Sequence, residues 1–108
     1  MYTACIIDDE SNSREVLELM IHENHPEITI AGVASNITEG MELIRTHKPD
    51  LLFLDIEMPG GSGFDLVKQL TEPLPQIIFC TAYGHYAIKA IECSALAYLL
   101  KPVSSQKL

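Results

Sequence analysis

Basic residues are scarce in this chain. Lysine and arginine number 7 against 15 acids, for a formal net charge of -8. A domain so charged repels nucleic acid and anionic lipid, so neither a direct nucleic-acid partner nor a membrane surface is expected. An acidic domain can still be fused to a DNA-binding one. Long hydrophobic runs are also missing. No stretch approaches the roughly 18 apolar residues of a membrane span, and no charged-then-apolar leader pattern opens the sequence. Cysteine is sparse, with Cys5, Cys80 and Cys93 forming an odd set without a CxxC spacing. The histidines His22, His25, His47 and His85 share no ligand-like spacing with them, which argues against zinc. Buried free thiols in a reducing cytoplasm are the expectation. Repeats, low-complexity runs and internal linkers are absent too, so residues 1–108 read as one domain with a workable core.

What is present centres on Leu51 to Gly63, LLFLDIEMPGGSG. Leu51 to Leu54 run straight into Asp55. An all-apolar run predicts a strand buried on both faces, as in a parallel sheet. An acid is costly deep in a core but tolerable at a strand's carboxyl end, where open α/β sheets place their ligand crevice. Pro59, Gly60 and Gly61 then turn the chain away.

Strand and helix signals alternate along the rest. Strands are predicted over residues 3–8, 28–34, 51–55, 76–81 and 97–100. The first helix starts from a Ser11 or Asn12 cap and carries a stripe of Val16, Leu17, Met20 and Ile21. Asn36 with Glu39 suggests a capping box for the second helix, whose inner face holds Ile37, Met41 and Ile44. Ser62 or Gly63 opens a third helix, with Leu66, Val67 and Leu70 inward. A fourth spans about 85–93. Five alternations predict an α/β fold: a flavodoxin-like, doubly wound parallel five-stranded sheet of order 2-1-3-4-5. The second strand contains Gly32 and suits an edge. The fifth helix is truncated or missing, since the sequence stops just after a cap-like Ser104 or Ser105. An excerpt from a longer chain is therefore expected.

The predicted sheet brings distant strand ends to one rim. Asp8 and Asp9 end strand one, Asp55 strand three, Thr81 strand four, and Lys101 follows strand five. Two unit charges about 4 Å apart cost on the order of 4 kcal/mol at an effective dielectric of 20. A divalent cation removes that cost, and oxygen ligands select magnesium, calcium or manganese. Lys101 suggests that an anion arrives as well. Carboxylate, hydroxyl, ammonium and metal together make a phosphoryl-transfer site with Asp55 as nucleophile. Each piece alone has a blander reading. Asp8-Asp9 could decorate a helix start, and Thr81, Tyr98 and Lys101-Pro102 could be ordinary strand, packing and turn residues.

With DDE at Asp8 to Glu10, LDIEMPGGSG at Leu54 to Gly63, Thr81-Ala82, and YLLKP at Tyr98 to Pro102, the whole chain resembles the receiver domain of bacterial two-component response regulators. The stretch YAIKAIECSALAYLLKP, from Tyr86 to Pro102, further resembles receivers joined to LytTR-type DNA-binding domains.

The resemblance implies a role for each matching residue. Asp55 would accept a phosphoryl group from a sensor histidine kinase or a small acyl phosphate. Asp9, Asp55 and the Glu57 backbone carbonyl would ligate magnesium, with manganese as the alternative, and Asp8 would act through a metal-bound water. Lys101, the Thr81 hydroxyl and the backbone amides of Ile56 and Ala82 would bind phosphoryl oxygens. Thr81 and Tyr98 would form the switch, and the Lys101-Pro102 peptide would be cis. Glu57 and Tyr83, two residues past Asp55 and Thr81, would tune dephosphorylation. The implied role is a phosphorylation switch that catalyses only its own phosphoryl transfer. An aspartyl phosphatase would need a DxDxT run, and a flavin module would need a phosphate loop where Asp8 and Asp9 stand. Bare sheet surface left by a missing helix is expected to be covered by homodimerisation or segment exchange.

Overall fold

The computed structural model describes residues 1–93 and 95–101. Five parallel strands form one sheet: β1 (Tyr2–Ile7), β2 (Ile28–Ala34), β3 (Leu51–Leu54), β4 (Gln76–Thr81) and β5 (Ala97–Leu100). Their order is β2-β1-β3-β4-β5, as the alternation predicts, with β2 at an edge. The register places Ile7 beside Leu54 and Leu54 beside Phe79. The carboxyl ends of the three central strands therefore finish on one rim.

Side chains of successive strand residues point to opposite faces, and this splits the core in two. Cys5, Ile7, Leu52, Leu54 and Phe79 pack on one side with Ile44, Phe64 and Leu66. The helices α2 (Ile37–His47) and α3 (Gly63–Gln69) supply those partners. Ala4, Ile6, Phe53 and Cys80 face the other side, where Leu17 and Ile21 of α1 (Ser11–Asn24) cover them. Beyond α1 on this second face, Ile78, Ala97 and Leu99 are half-buried, and among the described residues no helix lies over them. Burial keeps Cys5 and Cys80 as thiols, raising their pKa to about 11 and about 12.

Several local expectations need correction. The cap of α1 is Glu10, not Ser11 or Asn12, and no side chain caps it. The Asp8 carboxylate instead accepts the Glu10 N–H at 3.0 Å, so the turn closes one step earlier. Val16 is 53% exposed, because it lines a cleft beside Leu17, Cys80 and Ala82 instead of a covered core. Asn36 does cap α2, accepting from Glu39 N–H at 2.8 Å. The reciprocal bond reaches one residue too far: Glu39 accepts from the backbone and hydroxyl of Ser35. Ser62 and Asp65 form the full capping box, at the start of α3. The fourth helix begins as a 3-10 turn, Gly84–Tyr86, and only Ala87–Glu92 is α-helical, here α4. A two-stranded ribbon, Glu57–Met58 with Gly61–Ser62, follows β3. Gly60 supports its turn at φ 86°, a conformation that side chains disfavour. The expected fifth helix, the Ser104 or Ser105 cap and the Lys101-Pro102 peptide lie outside the described residues.

Candidate functional site

The site grows out of the strand ends. Asp8 and Asp55 each follow the last residue of a central strand, and the sheet's hydrogen bonding carries on to them. Asp8 N–H donates to Ala34 O, and Asp55 N–H donates to Ile7 O, both at 3.0 Å. Both side chains are buried, while Asp9 is exposed. One carboxylate oxygen from each of Asp8, Asp9 and Asp55 lies within 4.8 Å of the others. Thr81 is fully buried at the end of β4. Its hydroxyl accepts from the Tyr83 N–H at 3.4 Å.

Lys101 closes the group. Its N–H donates to Thr81 O at 2.8 Å, so the ladder between β4 and β5 aims the side chain over the rim. Its Nζ lies 2.8 Å from Asp8 Oδ2, 2.9 Å from Glu10 Oε1 and 3.0 Å from Asp55 Oδ2. An ammonium has three donors, and here three carboxylates take them. Burial alone would lower the Lys101 pKa, but these hydrogen bonds outweigh it and raise the pKa above the usual lysine value. Burial pushes the Asp8 carboxyl up, against the hydrogen bond from Lys101. Glu10, exposed, is held below the ordinary carboxylate range by the same ammonium. Arg14 Nη1 donates to Asp8 O at 2.6 Å and pins the turn that carries the acids.

The loop after Asp55 is shaped by close approach. Ile56 N–H donates to Asp55 Oδ1 at 2.7 Å, fixing the carboxylate's orientation. Gly63 N–H donates to Ile56 O at 2.6 Å, and a Cβ on Gly63 would run into the Asp55 carbonyl. The opposite wall is the loop after β4, with Ala82 and Tyr83 exposed. The Tyr98 hydroxyl donates to the Tyr83 carbonyl, and its ring packs 6.5 Å from Phe79.

The rim thus gathers Asp8, Asp9, Asp55, Thr81 and Lys101, with Ile56, Glu57, Ala82 and Tyr83 on the flanking loops. Two participants escaped the sequence reading. Glu10 was part of a motif but had no assigned contact. Tyr86 donates to Glu57 Oε2 at 2.9 Å across the two loops, and no periodicity signals such a bond. The acidic trio suits a hard divalent cation, because its donors are all oxygen and carry more negative charge than Lys101 offsets.

A five-stranded doubly wound sheet with three acids and a lysine at its carboxyl rim defines a class of signalling domain. The chain belongs to the response regulator receiver domain family, which matches residues 4–108. It is 43% identical over 105 residues to the sensory transduction protein LytT of Enterococcus faecalis, covering 95% of this chain and 43% of that protein. It is 44% identical over 109 residues to the transcriptional regulatory protein BtsR of Escherichia coli K12, covering 100% of this chain and 45% of that one. The chain spans under half the length of these curated relatives. The subfamily resemblance agrees with both. Among solved structures, the REC domain of AraT, a response regulator from Geobacillus stearothermophilus, superimposes with a TM-score of 0.88 at 34% identity. That match covers 98% of this chain and 85% of AraT's. The response regulator TrrA of Thermotoga maritima, solved in complex with Mg(2+)-BeF, gives 0.80 at 33% identity, covering 94% and 87%. No helix among the described residues is long and apolar enough to cross a membrane.

Proposed function

We propose that Asp55 accepts a phosphoryl group from the phosphohistidine of a sensor kinase, or from a small acyl phosphate. The observation that carries this reading is Lys101, whose Nζ sits 3.0 Å from Asp55 inside an acidic cluster. An Asp55 carboxylate oxygen attacks phosphorus, and the bond from phosphorus to the donor atom breaks. The donor leaves with the bonding electron pair. Lys101 faces the oxygens of the arriving group, joined by the Thr81 hydroxyl and the N–H groups of Ile56 and Ala82. Asp9, Asp55 and the Glu57 carbonyl would hold magnesium or manganese, with Asp8 acting through a bound water. The cation supplies charge that offsets the phosphoryl group. The Mg(2+)-BeF complex of TrrA supports this assignment.

Phosphorylation adds nearly two negative charges beside Lys101. Thr81 then moves to bond the new oxygens. That movement makes room for Tyr98 to turn inward, releasing the Tyr83 carbonyl it now holds. The result is a shift between two arrangements of the α4 and β5 face. The chain serves as the receiver part of a longer cytoplasmic regulator, with a LytTR-type DNA-binding domain following it and with homodimerisation or segment exchange covering the sheet face over which no described helix lies. BtsR, named a transcriptional regulatory protein, supports the DNA-binding output. The reaction is the domain's own phosphorylation and dephosphorylation, not turnover of a metabolite.

Incubation with an acyl phosphate and magnesium, followed by intact mass measurement, tests the reading. One phosphoryl group should be gained, and none when a chelator is present. Absence of any gain in magnesium would overturn the assignment. Glu57 and Tyr83 set the lifetime of the phosphorylated form, since both loops reach the rim where water must enter. Replacing both by alanine should change the first-order loss of label several-fold, and an unchanged rate would remove them from that role.

A further inference from the structure

Glu57 and Tyr86 stand on the two loops that flank Asp55 and Thr81. The hydrogen bond from the Tyr86 hydroxyl to Glu57 Oε2 joins those loops at the rim. The tyrosine is aimed, not free. Its ring meets Phe64 edge-on at 5.9 Å, His85 at 4.1 Å and Tyr83 at 6.3 Å. Phe64 is itself 2% exposed and packed against Phe79, so the phenol is braced from the core outward. Glu57 is equally constrained at its backbone, because the ribbon pairs it with Ser62. The bonded carboxylate raises the Tyr86 pKa, so the phenol stays a donor at neutral pH. The loop is tied at a second point, where Tyr98 holds the Tyr83 carbonyl.

We propose that Tyr86 is a positioning residue: its hydroxyl fixes the Glu57 carboxylate across the mouth of the site, and this bridge restricts the approach of water and small phosphodonors to Asp55. The inference rests on the reading of Asp55 as phosphoacceptor. Loss of the label is hydrolysis. Water oxygen forms a new bond to phosphorus, the Asp55 oxygen leaves as carboxylate, and the water's protons go to the released phosphate and to solvent. Labelling by an acyl phosphate uses the same open side of Asp55. One bridge between the loops therefore governs both rates in the same direction.

Tyr86→Phe keeps the ring packing and removes only the hydroxyl. With magnesium present, labelling by acyl phosphate and first-order loss of label should both rise about threefold to tenfold, the range expected for one solvent-exposed hydrogen bond. Glu57→Ala should give the same rise. The double variant should show no further rise, because both substitutions remove one interaction. Glu57→Gln retains an acceptor for the phenol and should stay close to the parent rates, whereas a role for the Glu57 charge alone would move them. Parent or slower rates in Tyr86→Phe, or multiplying effects in the double variant, overturn the bridge. A parent chain that takes no label overturns the phosphoacceptor reading instead.

Discussion

Asp55→Asn is expected to take up no phosphoryl group and yet to melt at a higher temperature than the parent chain when divalent cation is withheld. The first half follows from chemistry, since an amide oxygen is not the nucleophile a carboxylate is. The second follows from charge. Asp55 lies in a cluster with Asp8 and Asp9 and faces one ammonium, Lys101. A pair of charges about 4 Å apart is worth on the order of 4 kcal/mol at an effective dielectric of 20. Two repulsions outweigh one attraction, and screening at the open rim leaves a net gain of about 1 kcal/mol on neutralisation. For a domain of this size that corresponds to a rise of roughly 4–8 °C. Asparagine keeps the acceptor for the Ile56 N–H, so little else is lost.

Asp8 shows the same sign independently. Its pKa is raised in the fold by burial, so the protonated form is favoured there. The stability this contributes is present below the ordinary aspartate pKa and is lost as pH rises through the raised value. At neutral pH the buried Asp8 charge therefore works against the fold. Magnesium should reverse the order, because an ion that binds only the folded parent stabilises it by mass action. Thermal melts with and without magnesium check both halves. A variant that melts below the parent without cation would mean that the Asp55–Lys101 pair holds the fold together, and the electrostatic account would be wrong.

The parts of this arrangement visible in the sequence are those carried by strong local signals. Leu51 to Leu54 ending in Asp55 identified a central strand and a rim position together, since an apolar run cannot place an acid elsewhere cheaply. Gly32 within a weaker apolar run put β2 at the edge. The sheet order then brought Asp8, Thr81 and Lys101 to Asp55 by topology alone. The ribbon at Glu57–Met58 and Gly61–Ser62 was hidden, because strands of two residues have no periodicity. The 3-10 turn at Gly84–Tyr86 was hidden too. A helix start without a side-chain cap leaves no composition signal. Glu10 and Tyr86 are the instructive omissions. Both make side-chain bonds to residues more than twenty-five positions away, Glu10 with Lys101 and Tyr86 with Glu57. Such pairs depend on how two loops meet, and one sequence holds no record of that.

Phe64→Ala is expected to produce the largest loss of stability, and its effect should reach the rim. Phe64 is 2% exposed at the start of α3. Its ring lies 5.0 Å from Phe79 and 5.9 Å from Tyr86, and the Lys89 ammonium sits 4.8 Å above it. Truncating a buried phenylalanine costs about 3–5 kcal/mol through lost transfer energy and the cavity left behind. Domains of this kind are stable by about 5–15 kcal/mol, so a substantial part of the margin disappears. The melting temperature should fall by at least about 12 °C, at roughly 4 °C per kcal/mol. Phe64→Leu keeps most of the volume and should lose less than half as much. The position also matters for the site. Phe79 leads along β4 to Thr81, and Tyr86 carries the hydroxyl bonded to Glu57. Emptying the space between them removes the brace from both loops. In the alanine variant, measured well below its melting point, labelling by acyl phosphate should therefore change as it does in Tyr86→Phe. A fall in stability below about 1 kcal/mol would show that the neighbouring rings collapse into the gap, and Phe64 would then be filler instead of the brace on which the rim rests.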